Sequence, residues 1–386
     1  MKKFFIALFV AFIGMQCGAQ KDSVDLQTSI LGLMKKYDAV GVAVAVVKDD
    51  SICYLRTFGY NPDYRVPKMG DTIASDGIFR IASISKTFVA TAIMQLVEKG
   101  RVRLDDDVDN YLDFKVRNPR YPQKPITIRM LMSHCSSITD YQYSKYKDNF
   151  EIFVSTERSV LESLYSKYPP GQKFQYSNYG YNLLGGVIEK VTGIRFDEFI
   201  KTNILRPLGL IGGYDISTLD SSKLVWALQY NQKKERFVKS PRMYKPIAKE
   251  LQDYTLGKST ALFSPCGGMK LSVKDLARYM MMHINYGTLN GVKLLSKESE
   301  EVMWKKQRGS KYGMGFQNAT FGMKGVDLIG HQGGAYGIHS SMFFSPERKY
   351  GFVVICNGCK SGHEFDTSVL KELYTYFIEK QKITNN

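Results

Sequence analysis

Read for its alternation of apolar and polar positions, the chain opens with a twelve-residue apolar run, Phe4 to Met15, behind Lys2 and Lys3. Twelve residues rise only about 18 Å as a helix, short of a hydrocarbon core of roughly 30 Å. Cys17-Gly18-Ala19 then supplies small residues before a cleavage point, so residues 1–19 read as an export signal, with a periplasmic or secreted product. Gln16 is large and polar where a lipid-modified cysteine would follow a small residue, so simple cleavage is preferred over lipidation at Cys17 and over a retained anchor. From 22 to 39 the residues Val24, Leu26, Ile30, Leu31 and Leu33–Met34 recur at helical spacing. Val40 to Val47, then Lys48-Asp49-Asp50, then Ser51 to Tyr60 predict a hairpin of two strands. A second hairpin is predicted at the far end from Ile338 to Phe344, a turn at Ser345–Arg348, and Tyr350 to Ile355, followed by a closing helix over Thr367 to Lys380. Between them lie short helical patterns at Thr127–Met132, Glu151–Tyr168, Tyr176–Val191 and Phe196–Leu205. Strands at both ends with helices between predict an α/β fold of α+β type: a mainly antiparallel sheet built from both termini and flanked by helices, with a mainly helical domain inserted. The expected boundaries are 22–104 and 261–386 for the discontinuous α/β domain and 105–260 for the insertion.

Composition narrows the class. Of 386 residues, 44% are hydrophobic and 23% charged, which excludes a disordered chain, a collagen-like fibre and a multi-span membrane protein. The formal charge is +16, and removing the leader with its two lysines leaves 51 − 37 = +14. Such a balance favours anionic surfaces and partners without specifying a fold. Gln232 to Lys245 concentrates Lys233, Lys234, Arg236, Lys239, Arg242 and Lys245 against Glu235 alone. It reads as a solvated loop in preference to an anion-recognising segment, and no nucleic-acid fold signature accompanies it. The five cysteines beyond the leader are odd in number and scattered, which is no disulfide framework. Cys356-Asn357-Gly358-Cys359 has CxxC spacing, but no second CxxC or spaced histidine pair follows, so it reads as a strand end and a loop cysteine. The five histidines (His134, His283, His331, His339, His363) show no metal-ligand spacing either, and no metal or cofactor is expected.

Three short motifs carry chemistry. Ser83-Ile84-Ser85-Lys86 is a Ser-x-x-Lys that follows the strand-like Ile78-Phe79-Arg80-Ile81 and opens the apolar run Thr87 to Val97. At a helix start, Ser83 and Lys86 share a face one turn apart, beside unpaired backbone N–H groups and the positive end of the dipole. A capping serine explains the local pattern equally well. A second Ser-x-x-Lys, Ser144 to Lys147, has no such helix behind it. Tyr176-Ser177-Asn178 follows the fixed turn Tyr168-Pro169-Pro170-Gly171, where the alternative is a core tyrosine and an N-cap asparagine. Gly330-His331-Gln332-Gly333-Gly334 precedes the C-terminal strands; its glycines admit a close substrate, or form a turn around an incidental histidine.

Taken in order, Ser-x-x-Lys, Tyr-x-Asn and His-x-Gly resemble the class C branch of the serine β-lactamase and D-alanyl-D-alanine carboxypeptidase superfamily, including its serine esterases. The likeness runs from about Val40 to Ile355 and takes in the phrase from Ile126 to His134, Gly267-Gly268, Lys274-Asp275-Leu276-Ala277 and Tyr312-Gly313-Met314-Gly315. Two departures stand out. His134-Cys135-Ser136-Ser137 replaces the family's His-Thr-Ser-Gly, which is expected to shift a loop beside the site; His331-x-Gly333 replaces the Lys-Thr-Gly of true class C lactamases.

The resemblance implies acyl transfer. Ser83 is the expected nucleophile, Lys86 and Tyr176 move its proton as a coupled pair, Asn178 orients Lys86 or the substrate amide, and His331 holds a substrate carboxylate or the proton network. Gly333 and Gly334 complete the substrate-binding wall, with the backbone N–H groups of Ser83 and Gly334 as the implied oxyanion hole. The residues alone leave the general base open between Lys86 and Tyr176. The expected substrate is a small molecule or a peptidoglycan-like peptide, with D-amino-acid peptides, esters and related amides ranked above β-lactams. A true β-lactamase and a non-catalytic ligand-binding relative are the alternatives. No nucleic-acid partner and no stable membrane span are expected, and the oligomeric state is left open.

Overall fold

In the computed structural model of the protein the described residues are 25–61, 72–146, 150–307 and 310–380; the leader assigned to 1–19 lies outside them. A helix over 25–36 (α1) leads into strands β1 (Gly41–Lys48) and β2 (Ser51–Gly59). The chain re-enters the sheet only near its end, through β6 (Gln317–Ala319), β7 (Leu328–Ala335), β8 (Ile338–Ser345) and β9 (Tyr350–Cys356). The resulting antiparallel order is β6-β7-β8-β9-β1-β2, so the first strand of the chain pairs with the last, Val44 opposite Val354.

The unbroken apolar run of β1 follows from burial on both faces. Val42, Val44 and Val46 join Leu26 and Ile30 of α1 and Phe365, Val369 and Leu373 of the closing helix α5 (His363–Tyr374). Ala43, Ala45 and Val47 face the larger core with α2 (Ser85–Glu98) and α4 (Val273–Ile284). A strand covered on both sides has no polar alternation to show, whereas edge strand β2 is only half-buried along most of its length.

A small second sheet sets up the site. Strand β3 (Ile78–Arg80) pairs with β5 (Lys270–Ser272), which pairs in turn with β4 (Gly212–Gly213). Helix α3 (Asn178–Thr192) packs against α2 through Leu183, Leu184 and Val187 in the main core. Glu151–Tyr168, expected as one helical stretch, instead forms separate turns at Glu151–Val154 and Arg158–Ser163. The Ser155 hydroxyl accepts the Glu157 N–H at 3.2 Å, a local bond that competes with helix continuation. The closing helix begins at His363, earlier than Thr367, with Glu364 and Asp366 favourably placed in its first turn. Among the described residues no helix is long and apolar enough to cross a membrane.

Candidate active site

The short turn Ala82–Ile84 carries Ser83 between β3 and α2, so the serine sits just ahead of the helix and not within its first turn. Ala82 adopts a left-handed conformation, φ +47°, which costs a residue with a side chain about 1–2 kcal/mol. The turn is held from both sides. Ile81 donates its N–H to the Met269 carbonyl at 3.0 Å, while Ser85 Oγ donates to the Ala82 carbonyl at 2.6 Å and accepts from Met269 N–H at 3.0 Å. No side-chain cap bond is made at this helix start. Ser83 is therefore not a capping serine; its hydroxyl faces other side chains.

One of them is Lys86. Its fully buried ammonium donates to Ser83 Oγ at 3.1 Å, to Asn178 Oδ1 at 2.8 Å and to the Cys266 carbonyl at 2.8 Å. All three acceptors are oxygens, and burial pushes the Lys86 pKa down to about 8. Tyr176 closes the other side of Ser83: its hydroxyl is hydrogen-bonded to the serine, and its ring centroid lies 4.9 Å from Lys86 Nζ. Burial raises the phenol's pKa well above its ordinary value, so Tyr176 keeps its proton through the neutral range. The ring is packed against His134 at 4.3 Å between centroids. His134 Nδ1 in turn accepts the Ser177 N–H at 3.1 Å.

The third motif lies behind Ser83. Gly333 is buried so closely that an added Cβ would come within 2.5 Å of the Ile81 carbonyl and 2.9 Å of Ser83 N. Only glycine lets this strand approach the nucleophile's turn. Gly334 is exposed on the cleft wall. The cleft itself has a volume of about 840 Å³, and Ser83, Asn178, Tyr143, Cys266 and Gly334 are among its lining residues.

His331 departs from its expected part. It is buried, with Nε2 3.0 Å from the Tyr312 hydroxyl and Nδ1 hydrogen-bonded to the Gln332 carbonyl, and it does not line the cleft. Burial, reinforced by the Lys86 charge, pushes its pKa down to about 3, so the ring is neutral. A neutral, enclosed imidazole cannot hold a substrate carboxylate by charge; what remains for it is the proton network through Tyr312.

Sequence reasoning passed over Asp140 and Tyr312. Asp140 accepts the Asn178 backbone N–H at 2.9 Å, the Asn178 side-chain amide at 2.7 Å and the Ser177 hydroxyl at 3.2 Å. It thereby turns the Asn178 carbonyl oxygen toward Lys86. The N-cap of α3 is Ser177, accepting from Gly180 N–H at 3.3 Å, which leaves the Asn178 side chain available. No periodicity marks Asp140, which lies in an irregular stretch 38 residues before Asn178. Tyr312 carried a signal, since the phrase Tyr312-Gly313-Met314-Gly315 was part of the resemblance. In the fold, Gly315 at φ +83° meets α2 beside Ala90.

The Ser137 departure is accommodated in place. Ser137 takes the left-handed conformation itself, φ +68°, its hydroxyl accepting from Asn118 Nδ2 at 3.2 Å. Cys356 and Cys359 are buried free thiols hydrogen-bonded to one another, and no group of residues that could hold a metal occurs among the described residues.

Penicillin-binding protein 4* of Bacillus subtilis is 33% identical over 192 residues, 48% of this chain and 40% of that protein. Protein flp of Staphylococcus aureus strain MRSA252 is 25% identical over 356 residues, 90% of this chain and 65% of that protein. The chain thus spans less than two thirds of either curated relative. Among solved structures, an octameric penicillin-binding protein homologue from Pyrococcus abyssi superposes with a TM-score of 0.71 at 28% identity, covering 93% of this chain and 78% of the other. The D-amino acid amidase from Ochrobactrum anthropi SV3 shares the fold, with a TM-score of 0.66 at 21% identity over 91% of this chain and 99% of the amidase. The family model for beta-lactamase matches residues 26–373, nearly the whole chain described, and by that match the chain belongs to the beta-lactamase family.

Proposed function

We propose that this protein is a serine hydrolase that acts through an acyl-enzyme on Ser83, with D-amino-acid peptides, esters or related amides as substrates. The observation that carries the reading is the contact between the Ser83 hydroxyl and a buried Lys86 amine whose pKa is lowered to about 8. A serine hydroxyl needs a base to become a competent nucleophile. In its neutral form Lys86 removes the Ser83 proton as Oγ attacks the substrate carbonyl. The charge that collects on the carbonyl oxygen is met by the backbone N–H groups of Ser83 and Gly334. Tyr176 stays protonated and hands its proton to the leaving group, recovering one from Lys86. Water then cleaves the ester on Ser83 by the reverse relay, releasing the acid and restoring the hydroxyl. Asn178, held by Asp140, keeps the Lys86 amine aimed at Ser83, and His331 steadies Tyr312 beside the Tyr176 ring.

The amide and ester ranking is supported by the third motif: the neutral His331 supplies no cation where the lactamase motif has a lysine. The D-amino acid amidase with the same fold is consistent with that class. Labelling with a fluorescent fluorophosphonate and a fluorescent penicillin tests the nucleophile; Ser83→Ala is expected to abolish both labels, and a labelled, active Ser83→Ala protein refutes the assignment. Turnover of a p-nitrophenyl ester, a D-Ala-D-Ala peptide and nitrocefin, measured side by side, tests the substrate class. Nitrocefin turning over far faster than the other two overturns the ranking.

A further inference from the structure

Among the described residues, the charged side chains lining the cleft of Ser83 are all of one sign. Arg80, Arg242, Lys245 and Lys270 line it, and no carboxylate among the described residues does. Lys245 is neutralised by Glu250 at the surface. The other three form no ion pair among the described residues.

Arg80 is the most constrained of them. It ends β3 and is only 9% exposed. Its guanidinium makes two long contacts, 3.4 Å to the Met243 carbonyl and 3.4 Å to Ser264 Oγ, and lies 5.0 Å over the Tyr336 ring. Its Nε is buried with no hydrogen-bond partner among the described residues. A buried guanidinium with an unused N–H and no counter-ion is unfavourable unless something else supplies the anion. Lys270, fully enclosed, spends its ammonium on the Tyr214 carbonyl. The acids nearest in effect are otherwise engaged: Asp197 pairs with Arg195 at 2.6 Å, and Asp215 accepts the Ser217 N–H at 2.9 Å.

The basic segment around Lys233 to Lys245, read from the sequence as a solvated loop, explains how Arg242 reaches this place. Its last part folds back on β3: the Tyr244 hydroxyl donates to the Val225 carbonyl at 2.8 Å and lies 3.2 Å from the Ile78 carbonyl, and Arg80 holds the Met243 carbonyl. Arg242, exposed and without an acidic partner among the described residues, is thereby set on the cleft that buried Arg80 also lines. Arg80 is three residues before Ser83, so their Cα atoms are at most about 11 Å apart along the chain.

We infer that this part of the cleft is a carboxylate subsite, in which Arg80 and Arg242, with Lys270 alongside, receive an anionic group carried by the substrate away from its scissile bond. The planar fork of an arginine matches a carboxylate in two hydrogen bonds, which a lone ammonium does not. The inference rests on the proposed acyl-transfer reaction for the word substrate, but the subsite can be tested apart from it.

The kinetic test compares the p-nitrophenyl monoester of glutarate with p-nitrophenyl valerate, alike in length and differing in charge. Wild-type protein is expected to favour the glutarate ester in kcat/KM, and Arg242→Gln, a surface change that leaves folding intact, is expected to lower that preference about tenfold or more. Arg80→Gln should lower it further. Lys234→Gln, on the same basic segment but off the cleft, should leave the ratio where it was. The binding test uses free glutarate on the Ser83→Ala protein: a rise in melting temperature is expected, lost when Arg242→Gln is added. A ratio that does not move in Arg242→Gln, or a melting temperature indifferent to glutarate, overturns the subsite. Failure of both esters with the glutarate shift intact overturns the reaction instead.

Discussion

If Lys86 is the base, its pKa sets the rate at which Ser83 can be acylated, and pH is the cleanest perturbation. At its ordinary pKa of 10.5 a lysine is neutral in roughly one molecule in 3,000 at pH 7; at about 8 the fraction is roughly one in ten, a gain of about 300-fold. The cause is burial opposed by the Cys266 and Asp140 sides of the site, which favour the charged form. Because the neutral amine is the active form, kcat/KM should climb about tenfold per pH unit from 6 toward 8 and level off above it. Tyr176, held protonated by burial, should add no descending limb below pH 9. The assay is the second-order rate of fluorophosphonate labelling across pH 6 to 10, alongside kcat/KM for an uncharged ester.

The same shift makes a stability statement of definite sign. Lys86 binds its proton less tightly in the folded protein than in the unfolded chain, so between about pH 8 and 10.5 the unfolded state carries more protons and folding strengthens as pH rises. A displacement of this size corresponds to about 3 kcal/mol recovered over that window. Lys86→Met should remove both the rising limb in kcat/KM and this pH-dependent gain in urea unfolding. A flat rate profile from pH 6 to 9, an inflection near 10, or a limb that survives Lys86→Met would refute the assignment of the base.

Three further substitutions probe the surroundings. Tyr176→Phe removes the hydroxyl on Ser83 while leaving the ring against His134; kcat/KM should fall by roughly 10² to 10⁴ with stability changed by no more than about 1 kcal/mol in denaturant titration. Asp140→Asn removes a charge that favours the ammonium of Lys86, so besides a lower kcat it should move the rising limb to lower pH, a displacement that a purely structural role would not produce. Gly333→Ala forces a methyl against the Ile81 carbonyl and Ser83 N; thermal unfolding should show a loss of about 1–3 kcal/mol, accompanied by at least a tenfold drop in ester turnover.

What was legible in the sequence follows from how local each signal is. The terminal hairpins were readable because β1 and β9 are buried on both faces and carry unbroken apolar runs with polar turns between. The pairing of Ser83 and Lys86 was readable because the three-residue step from the Ala82–Ile84 turn into α2 brings them together. Asp140 was not, since its bonds to Asn178 span 38 residues and no local spacing links the two. The fate of Glu151–Tyr168 turned on one serine hydroxyl, Ser155, outcompeting the helix at a point where apolar spacing still looked helical. Arg242 misled in the opposite direction: a charge run usually marks solvent, and only the long-range bonds of Tyr244 to Ile78 and Val225 bring this one to the cleft.

These misreadings bear on the third motif. A lysine there would place an ammonium on the strand behind Ser83, whereas His331 is enclosed, neutral and tied to Tyr312, so that wall presents backbone and glycine to the substrate. A second ammonium enclosed beside Lys86 would have to be buried without a counter-ion. The positive charge available to a substrate is instead on Arg80 and Arg242, which line the same cleft. The two tasks thus fall to different residue types: one group lowers its pKa to act as a base, and others must remain charged to hold an anion. Lysine suits the first task because its pKa yields to burial, and arginine suits the second because its pKa does not.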